Sequence, residues 1–164
     1  MKTLLLLRHA KSSWKDSTLA DHERPLNGRG RGAAELVRSF LERKKLRPEL
    51  VLSSSAVRTR QTVEKIFAGA APAPDICYDD ALYLASAEKL LEVISALEDA
   101  RDRVLLVGHN PGLEELFFRL TGLDERFPTA TLANIVLNIE KWSEATTTRG
   151  KLEWLVTPKQ LEAL

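Results

Sequence analysis

Cysteine is almost missing from this 164-residue chain. Cys77 is the only one, which excludes an internal disulfide and any cysteine-built metal cluster; it is expected as a small hydrophobe in a reducing compartment. An excess of one charge is missing too. Lys and Arg number 24 against 23 Asp and Glu, a net charge of +1, so no global field points to nucleic acid or a membrane surface. No apolar run reaches bilayer-spanning length. The run Leu4 to Leu7 stops at Arg8, too short for the apolar stretch of a secretion signal. These absences together give the expectation of a cytoplasmic protein. Histidine is scarce as well, with three in the chain.

What is present is an ordinary globular balance, 44% hydrophobic and 29% charged residues. That length and balance suit one domain over residues 1–164, able to bury a core without cross-links. Residues 2–7 form a short continuous apolar run, the pattern of a strand buried on both faces. Asn27 stands where it can cap a helix whose apolar positions Ala33, Leu36, Val37, Phe40 and Leu41 follow helical spacing. That helix ends in Arg43-Lys44-Lys45, with Pro48 preventing its continuation. Leu50 to Leu52 is a second strand, followed by a helix from about Ala56 to Phe67. A loop from Gly69 leads to a weak strand near Ile76-Cys77-Tyr78. A helix over about Ala87 to Leu97 carries Leu90, Leu91, Ile94 and Leu97 on one stripe.

Val104 to Val107 is the most strand-like segment. Asn110 reads as the cap of the next helix with Pro111 at its first position, and Leu113, Leu116, Phe117 and Leu120 as its buried face. Residues 135–139 and 152–156 read as a terminal strand pair joined by a Thr-rich segment containing Gly150. Strands alternating with helices imply an α/β fold: a three-layer α/β/α sandwich around a mostly parallel central sheet.

Two of the three histidines follow the buried strands directly, as Arg8-His9-Ala10-Lys11-Ser12 and as Gly108-His109-Asn110-Pro111-Gly112. The carboxyl ends of strands in an open α/β sheet are where ligands bind. Either histidine taken singly is as well explained by a satisfied hydrogen bond near a strand end. The balance shifts with their neighbours. Arg8 is a permanent cation with no acidic residue close in sequence, and a guanidinium so placed calls for an anion. Arg58 follows the second strand in the first turn of a helix, where the dipole opposes a cation; gripping a phosphate explains it better than solvent exposure does. His109 precedes a helix N-terminus, whose free N–H groups attract anions.

Other features carry less. Gly28-Arg29-Gly30-Arg31-Gly32 lacks the spacing of a dinucleotide loop and reads as a turn into the first helix. His22, in Asp21-His22-Glu23-Arg24, reads as solvated. Ser53 to Ser55 lack a nucleophile elbow, and neither useful histidine has the carboxylate spacing of a metal site. No metal or other cofactor is expected.

The motifs together resemble the histidine phosphatase superfamily, whose fold is phosphoglycerate mutase-like. Leu7-Arg8-His9-Ala10-Lys11-Ser12 is similar to the family's Arg-His-Gly signature, and Arg24-Pro25-Leu26-Asn27-Gly28-Arg29-Gly30 to its Pro-Leu-Thr-x-x-Gly segment. Ser53 to Thr62 is similar to Ser-x-x-x-Arg-x-x-Gln-Thr, and Val107-Gly108-His109-Asn110-Pro111 completes the order. The short length and the Gly-His-Asn-Pro-Gly form resemble the SixA-type phosphohistidine phosphatases in particular. The resemblance implies that His9 is a nucleophile that becomes transiently phosphorylated, with Arg8, Arg58 and His109 around the phosphoryl oxygens. It implies a phosphorylated protein as partner, the phosphate leaving a phosphohistidine.

Two departures from the family accompany it. The acid-bearing Leu-x-Glu segment reads Leu82-Tyr83-Leu84 here, so no general acid carries over. Lys15 stands where mutases have Asn, which argues against mutase activity. A phosphatase of small phosphomonoesters and a phosphoprotein-binding module without turnover are the alternatives, and contacts from Lys15, Arg29 or Arg31 to the substrate stay open.

Overall fold

The computed structural model describes residues 1–164. Six strands form one sheet: β1 (Lys2–Arg8), β2 (Leu50–Ser54), β3 (Asp75–Asp79), β4 (Arg103–Gly108), β5 (Leu132–Leu137) and β6 (Lys151–Val156), in the order β3-β2-β4-β1-β5-β6. The pairs β1–β4, β2–β4 and β2–β3 are parallel, whereas β5 runs antiparallel to β1 and β6. Helices α1 (Gly28–Lys44), α2 (Val57–Phe67) and α5 (Pro158–Glu162) lie on one side. Helices α3 (Ala87–Ser95) and α4 (Gly112–Thr121) lie on the other. The expected three-layer sandwich with a mostly parallel sheet is what forms.

The reason is visible in β1 and β4. Successive side chains of a strand point to opposite faces, and an all-apolar run therefore serves two cores at once. Leu4 and Leu6 join Val104 and Leu106 under Leu90, Ile94, Leu116 and Phe117. Leu5 and Leu7 join Leu105 and Val107 under Val37, Phe40 and Val63. All eight strand residues are fully buried, each worth roughly 1.5–3 kcal/mol of apolar burial. No helix is long and apolar enough to cross a membrane.

Sheet order also creates the site. The chain leaves β1 toward α1 on one face and leaves β4 toward α4 on the other, although the two strands are neighbours. Their carboxyl ends therefore open a crevice at a topological switch point. The register pairs Arg8 with Gly108, and the His9 N–H donates to the Gly108 carbonyl at 3.1 Å. The residues after these two, His9 and His109, must emerge side by side.

Several local expectations change. Asn27 caps α1 as expected, accepting from the Gly30 N–H at 2.8 Å. Gly28 to Gly32 are then the first helical turn itself, not a turn leading into it. Gly30 lets that turn press on the loop after β1, since a Cβ there would lie 2.0 Å from the Lys11 carbonyl oxygen. Asn110 does not cap α4. Its amide donates to Glu114 Oε1 at 2.8 Å and to the Phe127 carbonyl at 2.9 Å, leaving Pro111 as the residue before the helix.

Strand β5 begins at Leu132, earlier than its apolar run suggests, because Leu132 and Ala133 pair with Leu7 and Leu6. Cys77 is exposed rather than packed. It lies on β3, an edge strand whose only partner is β2, where Asp75 and Ile76 are exposed as well.

Candidate active site

The crevice holds a pocket of about 390 Å³ lined by Arg8, His9, Arg58 and His109 among others, so the four sequence-chosen residues converge. No Asp or Glu lines it. A larger cleft of about 620 Å³ lies between the ends of α1 and α2, among Leu41, Leu46, Phe67 and Pro72. It contains no histidine and has no share in this chemistry.

His9 is 6% exposed. Its Nδ1 lies 2.7 Å from the Ala10 carbonyl, which can only accept, so Nδ1 carries the proton of the neutral ring. Nε2 then carries no proton, and its lone pair accepts from Arg58 Nε at 3.4 Å. Burial, reinforced by the charges of Arg58, Arg8 and Arg24, pulls the His9 pKa down to about 4, against the opposing hydrogen bond to Ala10. At neutral pH the ring is unprotonated, as a nucleophile must be.

His109 is held at both nitrogens. Arg58 Nη2 donates to Nδ1 at 3.4 Å, and a guanidinium has no acceptor to offer in return. Nε2 therefore bears the hydrogen and donates to Ser54 Oγ at 2.7 Å. Burial, then His9 and Arg58, bring its pKa to about 3, with Asp21 opposing. The two rings stand 5.2 Å apart, tilted by 52°. Ser54 reaches His109 because β2 adjoins β4, with Ser53 paired to Val107.

Arg8 donates through Nη1 to the Phe127 carbonyl at 3.0 Å, while its buried Nε has no partner. An unpaired donor on a permanent cation that lines the pocket suits Arg8 to an anion. The turn before β5 fixes its backbone: the Arg8 N–H donates to the Thr131 carbonyl at 3.1 Å, and the Ala130 N–H to the Arg8 and His9 carbonyls, both at 3.0 Å. Arg58 is 4% exposed and stays buried because Asp21 partners it at 3.0 Å.

Sequence reasoning missed that partner. Asp21 lies in a polar segment with no role assigned by sequence, yet it binds Arg58, Arg24 and the Tyr83 hydroxyl. The available signal was its spacing from Arg24, three residues on. His22 is not solvated. It is half-buried, meets Ser55 Oγ at 2.8 Å and packs edge-on to Tyr83 at 4.7 Å, because the short 3-10 turn over Asp21–Glu23 folds onto α2.

Lys15, Arg29 and Arg31 do not line the pocket, whereas Lys11, Trp14 and Arg24 do. Trp14 is 78% exposed and covers the Arg24 guanidinium at 3.3 Å. Leu84, from the segment that lacks the family's acid, also reaches the lining.

Comparison with known proteins agrees with this arrangement. Residues 4–83 match the model of the histidine phosphatase superfamily (branch 1), a span that includes Arg8, His9 and Arg58 and stops short of His109. An uncharacterized chloroplastic protein of Arabidopsis thaliana is 35% identical over 170 residues, covering 96% of this chain and 78% of its own. The crystal structure of a candidate phosphohistidine phosphatase SixA from Agrobacterium tumefaciens is 32% identical. It covers 96% of this chain and 98% of its own, with a TM-score of 0.80. The protein histidine phosphatase SixA solved with tungstate shares the fold at a TM-score of 0.83 and 21% identity, over 97% and 99% of the two chains. The chain belongs to the histidine phosphatase superfamily.

Proposed function

We propose that this protein is a metal-independent phosphatase whose nucleophile is His9 and whose substrate is phosphohistidine in another protein. The observation that carries the reading is the proton-free Nε2 of His9 beside Arg58 Nε at 3.4 Å. A lone pair there meets phosphorus while guanidinium groups meet its oxygens. Phosphoryl transfer asks chiefly for such positioning and for charge on the equatorial oxygens.

In the first step His9 Nε2 bonds to phosphorus as the bond to the leaving group breaks, and the leaving nitrogen takes its proton from solvent. Water then attacks the phosphohistidine at position 9, releasing orthophosphate and restoring the neutral ring. Arg8 and Arg58 hold the phosphoryl oxygens in both steps. His109 stands against the same group, braced by Ser54.

The absence of an acid from the pocket supports this substrate class. No carboxylate lines the pocket, and general acid catalysis is worth about 10²–10⁴-fold to a poor leaving group. A phosphoramidate nitrogen is protonated by solvent more readily than an ester oxygen. The likeness to SixA-named proteins supports the same assignment.

The test compares kcat/KM for a phosphohistidine protein with that for phosphoserine and a panel of sugar phosphates. Phosphohistidine is expected to lead, with acid-labile, base-stable phosphate trapped on His9 during turnover. A sugar phosphate hydrolysed faster than every phosphohistidine protein would assign the site to small phosphomonoesters. Binding without turnover would make it a recognition module.

A further inference from the structure

One carboxylate touches the site without a part in these steps. Asp21 presents three oxygens to three neighbours. Its backbone carbonyl accepts from Arg58 Nη1 at 2.7 Å, and its Oδ2 accepts from Arg58 Nη2 at 3.0 Å. The Tyr83 hydroxyl donates to the same Oδ2. Oδ1 accepts from Arg24 Nη1 at 2.9 Å, and Arg24 reaches on to the Ser13 carbonyl at 3.1 Å and to the Ser12 hydroxyl. One residue therefore joins the loop after β1, the first turn of α2 and the turn after β3.

Arg58 depends on such a hold. It is buried, and it lies in a helical first turn where aligned peptide dipoles disfavour a cation. A buried guanidinium with no counter-charge is strongly destabilising. The hold also has direction. With Nη1 and one edge of Nη2 occupied by Asp21, the remaining edge faces His9 Nε2 and His109 Nδ1, each at 3.4 Å.

We infer that Asp21 is a positioning residue: braced from behind by Tyr83, it fixes Arg58 at the angle at which its guanidinium meets a phosphoryl group beside His9. The inference rests on the anion-binding part of the function proposed above, not on phosphohistidine as the substrate. Asp21 is not the absent proton donor. The Tyr83 hydroxyl has the largest effect on its pKa; burial opposes it, and Arg58 and Arg24 add to it, holding the value at about 2, so it stays ionised at neutral pH.

Charge and positioning predict opposite signs. Removing a negative charge next to a cationic pocket tightens anion binding if charge is all that Asp21 supplies. Losing the alignment of Arg58 weakens it. The experiment is calorimetric titration of orthophosphate at pH 7 into the wild type, Asp21→Asn, Asp21→Glu, Arg58→Ala and the Asp21→Asn/Arg58→Ala double variant.

Asp21→Asn is expected to weaken orthophosphate binding about 5–10-fold, and to change it less than about 2-fold once Arg58 is gone, the non-additivity of two residues acting as one. Asp21→Glu, which keeps the charge, recovers part of the loss. Tyr83→Phe removes only the brace and weakens binding about 2-fold; with Asp21→Glu it carries the test if Asp21→Asn does not fold. Tighter binding in Asp21→Asn, or a loss that multiplies in full onto Arg58→Ala, overturns the inference. A wild type that binds orthophosphate but spares phosphohistidine refutes the substrate assignment and leaves this result standing. One that binds no orthophosphate refutes both.

Discussion

Strands β1 and β4 contrast with their own carboxyl ends. Along their bodies, Leu4 to Leu7 and Val104 to Val107 are buried without exception and carry no polar side chain. Within two residues the chain presents Arg8, His9 and His109, and both histidines stay buried while the chemistry reverses. His9 and His109 are 6% and 4% exposed, and both are held neutral by burial itself. Burial that stabilises leucine works against a charged imidazole. The bodies thus supply the rigidity that lets the ends keep two unprotonated rings beside permanent cations. One strand pair serves as scaffold and as holder of the site, and the change takes place within two residues.

Substitutions can separate the two. The largest effect is expected at the ends: His9→Ala should lower kcat on the order of 10³-fold or more while the melting temperature stays within a few degrees. Steady-state kinetics and a thermal melt on one preparation check it, and turnover near the wild-type value would remove His9 from the mechanism. In the bodies the expectation reverses. Leu105→Ala should cost about 2–5 kcal/mol of stability, read by urea denaturation, with kcat per folded molecule little changed. A large loss of kcat in the folded fraction would show that the bodies also tune the site.

A smaller effect depends on pH. Both folded-state histidine pKa values, about 4 and about 3, lie below the ordinary value near 6.5. Between these limits the unfolded chain binds protons that the folded one refuses, so stability is complete above about pH 6.5 and falls as the pH drops toward 4. The slope is roughly 1.4 kcal/mol per pH unit for each histidine. Denaturation at pH 7 and pH 5 should show this difference in the wild type, and His9→Ala should lose about half of it. An unchanged slope in His9→Ala would mean that the ring is not held neutral by its site. Smallest of all, Cys77→Ser on the exposed edge strand should alter stability by less than about 0.5 kcal/mol, checked by the same denaturation. A larger shift would show that the edge is covered in solution.

Legibility followed the same division. Continuous apolar runs marked β1 and β4 because a strand buried on both faces has no polar position to interrupt it. The helical stripes of α1, α3 and α4 were equally plain. Edges were less so: β5 begins at Leu132 through its pairing with β1, and Asn134 breaks the apolar pattern inside it. Asn110 looked like a helix cap, but its amide is drawn to Glu114 and the Phe127 carbonyl. That choice is made by a neighbouring loop, not by local sequence.

For the site, the residue order alone was enough to single out Arg8, His9, Arg58 and His109, since each stands at a strand end or in the first turn beyond one, and strand ends in such a sheet meet at one edge. Their convergence, however, needed the neighbouring of β1, β2 and β4, which no local pattern encodes. Asp21 shows the remainder most clearly. By sequence it is an acidic residue in a polar turn; in the fold it lies against Arg58, 37 positions away, and Tyr83, 62 positions away. Residue order settles which segments are apolar and therefore where two histidines leave the core. Which carboxylate lies against the arginine between them is settled by packing in three dimensions, because a hydrogen bond is specified by distance and angle in space, and the chain distances involved carry no record of either.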